Sequence, residues 1–357
     1  MPSSSSLLIS SLSAFETDNP RREDATPQPR IGGSSGHSKY DDLLSWLESK
    51  GATISPKLQV RPSSRGGGFG AFLSESVEVD ELLFTVPRAA CVTLKDATSD
   101  PDCGKVFSRL IEKAGPGGKT VVLAGFLARE RLKYLEDTGK DEITVSADGF
   151  GPYIATLPWE RGINDQEHIL YWSDDEIESQ LKGSLCYSES KSLREEVSLA
   201  TKVLNSILSK SIRIYRGEQV DSGFKWPWEV QPAEPEAIVD GLSEAVIGAF
   251  VSVLTRAFED GDDDEEKMVP LLDMLQHSDY PNVSHVMRKA DGTVEVRARQ
   301  VLAAGEELLN QYRPELEESM PYHRFFSRFG FVPGIQEPIQ NLLQDKSSIF
   351  FAQKAEI

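Results

Sequence analysis

The chain has 357 residues and a formal net charge of −19 at pH 7, with 57 Asp and Glu against 38 Lys and Arg. Such an acidic chain is poorly suited to bind nucleic acid or anionic membranes, because phosphate binding requires clustered Lys and Arg. A basic protein segment is a compatible partner, and acidity that serves only solubility is the alternative. The length allows one large domain or two ordinary ones. No apolar run is long enough to span a bilayer.

The three cysteines, Cys91, Cys103 and Cys186, lie far apart and form no CxxC pair. This spacing predicts neither a disulfide framework nor a metal site. A reducing compartment, cytoplasmic or nuclear, is the corresponding location. Residues 1–38 are rich in Ser, Pro and Gly, which predicts a disordered tail. The first 15 residues contain no acidic side chain but also no Arg, so a chloroplast transit peptide is kept only as an alternative.

The first predicted element is a short helix over residues 40–51. Its leucines Leu43, Leu44 and Leu47 share one face, and Gly51 supplies the stop signal at its end. The helix is therefore expected to pack one apolar face against the rest of the protein.

A glycine-rich segment follows, in which Gly66, Gly68 and Ala71 satisfy the G-x-G-x-x-A pattern of dinucleotide-binding proteins. That signature requires a strand before it and a helix after it. Here the downstream residues ESVEVDELLFTVP alternate like a strand, with Leu83 and Thr85 on one side. The segment is therefore predicted to form a β-hairpin, and a Rossmann domain is rejected.

The middle of the chain is predicted to be helical. Residues 119–137 repeat apolar side chains at helical spacing, with charges on the opposite face. Ser173 followed by Glu176 forms a capping box at the start of another helix. Further helices are predicted at 192–209 and 237–258, and the apolar stripes of all of them are interpreted as core.

An acidic run, EDGDDDEE, occupies residues 259–266. It lacks the alternating ligand spacing and the closing Glu of a calcium-binding loop. A solvated loop is predicted here, and a patch that steers substrate is the alternative.

Residues 269–332 combine polar side chains with an otherwise apolar sequence. Asp273, His277 and Ser278 fall within VPLLDMLQHS, and a Gly305-Glu306 turn then leads to a strand predicted to end on Tyr312. A polar cluster, a hairpin and a terminal tyrosine within one short span indicate a functional site in addition to a core.

Three motifs in this stretch occur in an order that is typical of one protein family. Residues 273–278 (DMLQHS) resemble D-M-x-N-H-S, residues 305–312 (GEELLNQY) resemble G-E-x-V-x-x-x-Y, and residues 328–331 (RFGF) resemble R-Y-G-F. The chain thus resembles SET-domain protein methyltransferases, in the branch typified by the RuBisCO large-subunit methyltransferases. The resemblance implies an α+β fold in which a β-rich SET fold carries a helical insertion between its two half-motifs.

The resemblance also implies how the chain is divided. The SET domain would cover 39–332, with a first half-motif at about 55–95, the helical insertion at about 104–250 and a second half-motif at about 251–332. Residues 333–357 would form a short C-terminal tail, and the helical substrate-binding domain of the family would be absent.

The site implied by the resemblance holds S-adenosylmethionine beside a channel for a lysine side chain. Tyr312 corresponds to the catalytic tyrosine of the family. The residues implied to bind the methyl donor are Glu81, Leu83, Arg256, Gln276 and His277. The residues implied to line the lysine channel are Thr255, Asp273 and Phe329. Gln276 and Phe329 stand where this branch usually has Asn and Tyr, and the Phe is expected to permit more than one methyl addition.

The implied function is methylation of a lysine on another protein by a monomeric enzyme that binds neither nucleic acid nor membrane. Methyl transfer to an amine needs alignment and exclusion of water more than acid–base groups. A free lysine has a pKa of about 10.4, and burial in an apolar channel favours loss of its proton. Two alternatives stay open: a SET-fold binding module without turnover, suggested by Gln276, and a histidine methyltransferase of the same fold.

Overall fold

The computed structural model describes residues 38–65, 68–138, 149–218, 239–260, 265–312 and 321–332. The predicted tails lie outside these residues, except for Ser38, which caps the first helix. Helices and small sheets alternate along the chain, which confirms the α+β class. The helices are α1 (Lys39–Ser49), α2 (Leu94–Ser99), α3 (Gly104–Ala114), α4 (Pro116–Thr138), α5 (Gly151–Ile154), α6 (Asp174–Leu181), α7 (Leu185–Tyr215), α8 (Leu242–Arg256) and α9 (Tyr322–Phe329). The strands are β1 (Leu58–Pro62), β2 (Phe69–Leu73), β3 (Leu82–Val86), β4 (Val92–Thr93), β5 (Ala257–Asp260), β6 (Glu265–Met268), β7 (Gln276–His277), β8 (Val283–Met287), β9 (Val294–Ala298) and β10 (Leu309–Asn310).

Strands β1 and β2 form the predicted hairpin. They pair antiparallel, with Leu58 opposite Leu73 and Pro62 opposite Phe69. Four of the five residues of β2 are buried, whereas β1 buries only Leu58, so β2 is the inner strand. The next element after β2 is strand β3 and not a helix, which agrees with rejection of the Rossmann signature.

Strand β3 joins β9 and β8 in an antiparallel sheet of order β3-β9-β8. Burial in β3 does not alternate strictly, because Leu83, Phe84 and Val86 are all buried while Thr85 is only partly buried. The register is irregular between Leu82 and Phe84. A bulge places two residues of one strand opposite one residue of its partner and so interrupts strict alternation.

Half of the acidic run predicted as a solvated loop, residues 259–260 and 265–266, lies in a pair of antiparallel strands. Strands β5 and β6 pair antiparallel, with Ala257 opposite Met268 and Phe258 opposite Lys267. The prediction of a loop is therefore wrong for these residues. The two strands pair first through apolar residues, among them the fully buried Met268, and the pairing then continues into the charged residues. Residues 261–264 lie outside the described part of the chain.

Between β4 and β5 the chain is mostly helical, as predicted. Helix α4 matches the helix predicted at 119–137 and packs against α3, α7 and α8. Helix α6 begins at the predicted capping box, in which Ser173 and Glu176 each accept a hydrogen bond from the other's backbone amide. The helices predicted at 192–209 and 237–258 are α7 and α8, of which α7 is longer than expected and α8 ends earlier, at Arg256.

A main apolar core joins the sheets to helices α1, α4, α7 and α8, and a smaller core lies beneath α9. The smaller core contains Ile169, Ile177 and Leu181, against which Phe326 of α9 packs. The helical part of the molecule therefore supports α9, whose last residue is Phe329. Within the described residues, no helix combines the length and the apolar character needed to cross a membrane.

Candidate active site

Two short elements meet at the centre of the site. Helix α8 ends at Arg256, and a 3₁₀ turn over Leu272–Met274 presents Asp273 beside it. The fully buried Leu271 that precedes this turn has a φ of 70°. A bulky residue rarely adopts this conformation, which costs about 1–3 kcal/mol and persists only when the surroundings enforce it. Packing around the turn thus fixes where Asp273 lies.

Asp273 is held from two directions. Its carboxylate Oδ2 accepts a hydrogen bond of 2.9 Å from the hydroxyl of the fully buried Tyr153, which comes from helix α5. Its backbone oxygen accepts one of 2.9 Å from Nη1 of Arg256. Burial raises the pKa of the Asp273 carboxyl, and the nearby Arg256 guanidinium and Tyr153 hydroxyl oppose that rise.

Arg256 and Asp273 each retain a buried polar atom without a hydrogen-bond partner among the described residues. These atoms are Nε of Arg256 and Oδ1 of Asp273. Buried polar groups are nearly always satisfied in native proteins, so such atoms mark a place where a bound molecule can supply the partner. Nε of Arg256 offers a hydrogen-bond donor, and Oδ1 of Asp273 offers an acceptor.

A second cation lies near Arg256. Lys39, the first residue of helix α1, is half-buried, and its Nζ donates a long hydrogen bond of 3.4 Å to the backbone oxygen of Ala155. Burial is the main cause that lowers the pKa of Lys39, followed by repulsion from Arg256 and then from Arg131. This region therefore favours an anionic ligand.

The parallel pair of β7 and β10 connects this centre to the N-terminal hairpin. Gln276 in β7 donates from Nε2 to the backbone oxygen of Phe69, the first residue of β2, at 3.2 Å. Its neighbour His277 accepts at Nδ1 a hydrogen bond of 3.2 Å from the backbone amide of Tyr312. Gln276 and His277 of β7 thus contact, respectively, the N-terminal hairpin and the segment that follows β10.

Tyr312 lies two residues beyond the end of β10, not within the strand as predicted. Its hydroxyl donates to the backbone oxygen of Leu275 at 2.9 Å. Burial is the main cause that raises the pKa of Tyr312 to about 12, so the hydroxyl keeps its proton at neutral pH.

An aromatic cluster surrounds the Tyr312 ring. The ring centroid of Tyr312 lies 5.2 Å from that of His277, 5.3 Å from that of Phe329 and 6.3 Å from that of Phe331. The ring of Phe325 adds to the cluster, with its centroid 5.4 Å from that of His277, 4.5 Å from that of Phe329 and 5.1 Å from that of Phe331. Such a cluster provides an apolar wall beside a single oriented hydroxyl.

A model of the SET domain matches residues 68–313 of the chain. This chain belongs to the SET-domain family. The N-lysine methyltransferase SETD6 of Rattus norvegicus is 31% identical over 169 residues, which cover 46% of this chain and 32% of that protein. SETD6 of Homo sapiens is 25% identical over 192 residues, covering 44% and 35%. The matched part of the chain thus spans about a third of these two mammalian relatives.

Solved SET structures share the fold. A structure of Rubisco LSMT bound to AdoMet superimposes with a TM-score of 0.58 at 17% identity, covering 85% of this chain and 58% of that chain. The SET domain of LSMT bound to lysine and AdoHcy gives a TM-score of 0.57 at 16% identity, covering 82% and 57%. At this identity the likeness concerns the fold alone.

Within this SET domain, the structure brings together five of the predicted site residues. Arg256 contacts Asp273, and Tyr312 contacts both His277 and Phe329. The two groups are neighbours, because the charges of Arg256 and Asp273 both influence the pKa of Tyr312. Gln276 adjoins them in β7. Thr255 precedes Arg256, but its hydroxyl is already engaged by the backbone oxygen of Val251 at 2.7 Å.

The contacts that the structure shows for Glu81 and Leu83 lie outside this cluster, and their role in donor binding stays a prediction. The side chain of Leu83 is fully buried in the main core. Glu81 lies before β3 and binds Nζ of Lys57 at 2.7 Å, and this contact is the main cause that lowers the pKa of Glu81. The hairpin residue that does reach Gln276 is Phe69.

Five residues at the site had not been predicted: Lys39, Phe69, Tyr153, Phe325 and Phe331. The sequence signals for two of them were available. Tyr153 belongs to the segment GPYIATLP, in which Gly and Pro residues interrupt the predicted helices, and Phe331 ends the RFGF motif. Lys39 and Phe69 reach the site only through pairing and packing over long sequence separations, for which the sequence has no local signal.

Proposed function

We propose that this chain is a protein-lysine N-methyltransferase that uses S-adenosylmethionine and acts on another protein. The observation that carries the proposal is the partly buried Tyr312, whose hydroxyl donates to Leu275 beside an aromatic wall and whose pKa is influenced by the charges of Arg256 and Asp273. The names of the relatives, N-lysine methyltransferases, support the same reading. Titles of solved SET structures with AdoMet, or with lysine and AdoHcy, support the choice of methyl donor.

The polar atoms of the site fit the proposed donor. The donor carries a carboxylate and an ammonium group. Nε of Arg256, which has no partner among the described residues, together with Lys39 offers donors for the carboxylate. Oδ1 of Asp273, likewise without such a partner, offers an acceptor for the ammonium group. When bound, the donor would supply an electrophilic methyl group on a sulfonium.

Tyr312 would orient the substrate amine and would not remove its proton. A hydroxyl with a pKa raised to about 12 stays protonated at neutral pH, and its hydrogen is engaged by Leu275. The lone pairs of its oxygen therefore remain available to accept from an amine N–H or to contact a positively polarised methyl group. Such orientation places the reacting atoms in line, which is most of what this reaction requires.

The aromatic cluster would keep the amine neutral and the site dry. An ammonium group beside Phe329 and Phe331 loses hydration, which lowers its pKa and favours the nucleophilic free base. The same rings exclude the water that would compete for the amine.

We further propose that the substrate is a basic protein segment, because the net charge of −19 attracts positively charged segments.

We also propose a reducing compartment, cytoplasm or nucleus. Cys91, Cys103 and Cys186 are each buried and free. Buried free thiols are typical of proteins from reducing compartments.

A methyl-labelling experiment tests the proposal. Purified protein is mixed with tritium-labelled S-adenosylmethionine and a lysate, and labelled proteins are digested to locate the methyl group. We expect label on lysine and, for Tyr312→Phe, a loss of at least about a hundredfold in rate with little change in donor affinity. Tyr280→Phe is the matched control, because Tyr280 is 89% exposed and should lose nothing.

Three outcomes would contradict the proposal. Absence of donor binding in a calorimetric titration of the wild type would remove its basis. Donor binding without transfer to any lysate protein would instead indicate a SET-fold binding module. Label on histidine in the digest would indicate a histidine methyltransferase.

A further inference from the structure

We propose that Glu307 is a positioning residue for the methyl-donor site. Its side chain binds Ser63 and Ser64, just after β1, and lies close to Gly70 in β2, so that the β1–β2 hairpin keeps the form that receives the donor. The inference rests on the proposed function for the identity of the donor. Glu307 touches neither Tyr312 nor Arg256 through its side chain, and it acts through the hairpin that carries Phe69.

The Glu307 carboxylate is bound by the two residues that follow β1. Oε1 accepts from the Ser63 hydroxyl at 2.6 Å, and Oε2 accepts from the Ser64 hydroxyl at 2.6 Å and from the Ser64 amide at 3.1 Å. Glu307 is only 8% exposed, and it has no ion-pair partner among the described residues. A buried carboxylate that relies on neutral donors depends on every one of them, so these contacts hold Ser63 and Ser64 in place.

Gly70, the second residue of β2, leaves space for the same carboxylate. A Cβ added at Gly70 would lie 2.4 Å from Oε1 of Glu307. Gly70 is not among the residues with positive φ, so its backbone conformation does not require glycine. The reason for glycine at this position is therefore room for Glu307.

Glu307 is itself fixed to the strand that leads to Tyr312. Its backbone oxygen accepts from Nδ2 of Asn282 at 2.8 Å, and the next residue, Leu308, donates from its amide to the backbone oxygen of Ala71 at 2.8 Å. The carboxylate thus couples the hairpin to the C-terminal half of the site through a short and rigid path.

The residue positioned by these contacts is Phe69. It lies next to Gly70, its backbone oxygen accepts from Gln276, and its ring stacks on Tyr40 with centroids 4.1 Å apart. Tyr40 adjoins Lys39 on helix α1. A displaced hairpin end would shift the Phe69 backbone away from Gln276 and open the donor region, while the buried core remains in place.

Calorimetric titration of S-adenosylmethionine into four variants tests the inference. Loss of hydrogen bonds to a charged group is expected to reduce the population of the binding-competent hairpin at least about tenfold, so Glu307→Ala should raise the apparent donor Kd by a similar factor. Gly70→Ala should have a similar effect, because its new Cβ displaces the carboxylate. The double variant should bind no more weakly than Glu307→Ala alone, because the displaced group is then absent. Glu306→Gln is the matched control, since the side chain of this neighbouring glutamate is exposed.

Hydrogen exchange of the Ser64 amide provides a readout without donor. Exchange should accelerate in Glu307→Ala and not in Glu306→Gln, because only Glu307 accepts from that amide. Glu307→Gln, which retains one acceptor oxygen, should give an intermediate rate.

The outcomes separate this inference from the proposed function. Wild-type protein that binds no donor would overturn the proposed function, while the Ser64 amide would still report whether Glu307 holds Ser64. Unchanged donor affinity in Glu307→Ala, strictly additive effects of the two substitutions, or unchanged Ser64 exchange would each overturn the positioning role.

Discussion

Replacement of His168 by Gln should change how the stability of the protein depends on pH. His168 is fully buried, and its Nδ1 accepts from the Leu170 amide at 3.2 Å. Its Nε2 therefore carries the hydrogen and donates to the backbone oxygen of Ser327 in α9 at 2.9 Å. Burial is the dominant cause that lowers the pKa of His168 from 6.5 to about 4, and the hydrogen bonds to the α9 backbone oppose it.

The direction of the effect follows from proton binding. Between pH 6.5 and 4 the unfolded chain binds a proton at His168 and the folded chain does not, so the free energy of unfolding falls as the pH is lowered. Each tenfold change in proton affinity is equivalent to about 1.4 kcal/mol. The contribution lost between pH 7.5 and pH 4.5 is therefore about 2.5 kcal/mol, and it approaches about 3.4 kcal/mol below pH 4.

Urea unfolding followed by tryptophan fluorescence at several pH values measures this contribution. His168→Gln can still donate to Ser327 but cannot titrate. The difference in unfolding free energy between the wild type and the variant should shrink by about 2.5 kcal/mol as the pH falls from 7.5 to 4.5. Parallel pH curves for the two proteins would refute the reasoning. The result matters for the site, because His168 binds the backbone of α9, the helix that ends at Phe329. Gly330 follows this helix, and a Cβ added there would lie 3.3 Å from the Cα of His168.

Three further predictions concern the site itself. Tyr153→Phe removes the hydroxyl that donates to the buried Asp273 carboxylate, so it should destabilise the protein by about 1.5–3 kcal/mol in urea unfolding and raise the pKa of Asp273 further. Lys39→Met should weaken donor binding about tenfold and reduce the dependence of the Kd on salt, as calorimetry at two ionic strengths would show; equal affinities would contradict an anionic subsite beside Arg256. Phe329→Tyr adds a hydroxyl to a ring 5.3 Å from that of Tyr312, and mass spectrometry of the product should show a shift toward monomethylation. An unchanged product distribution would contradict a role of Phe329 in methylation degree.

Local sequence signals predict the elements whose causes are local. The helix at 40–51 is present as α1, with Leu43 and Leu47 buried and Gly51 at a positive φ just past its end. The capping box at Ser173 is likewise present. Hydrogen bonds between residues three apart suffice to specify such features, so the surrounding fold is not needed to predict them.

Sequence reasoning could join site residues only where they belong to the same motif or to motifs of one family. Asp273 and His277 belong to one motif, and Tyr312 ends the next, so a resemblance to the family was enough to join them. The contact from Tyr153 to Asp273 spans 120 residues, and the contact from Gln276 to Phe69 spans 207. No local pattern encodes such pairs, because they arise from how the helical region and the hairpin dock on the β7 region.

Glu81 and Leu83 illustrate a different limit. The sequence indicates that a hairpin and a strand lie near residues 58–87, but not which strand faces the site. The register of β3 is irregular between Leu82 and Phe84, Leu83 is fully buried and Glu81 binds Lys57, while the backbone oxygen of Phe69 in β2 accepts from Gln276. A shift of one residue in register exchanges the two faces of a strand, so alternation alone could not decide between these placements.

The substitution of Gln for the usual Asn at position 276 can now be given a physical interpretation. Gln276 reaches the Phe69 backbone oxygen at 3.2 Å, which is near the outer end of the hydrogen-bond range. An Asn at this position is shorter by one methylene and would not span that distance without movement of the backbone. Gln276→Asn is therefore expected to weaken donor binding in this chain, by about threefold to tenfold.

Calorimetric titration of S-adenosylmethionine into the wild type and Gln276→Asn decides between two views of this residue. If Gln276 is an adaptation that bridges β7 to the hairpin, the variant binds the donor more weakly and the Ser64 amide remains protected, because Glu307 still accepts its hydrogen bond. If Gln276 is instead the mark of a decayed site, Asn restores binding that the wild type lacks. Tighter binding in the variant would therefore refute the bridging role and favour the binding-module alternative. The bridge is the better-supported view, because the side chain already satisfies a backbone oxygen that would otherwise lose this partner.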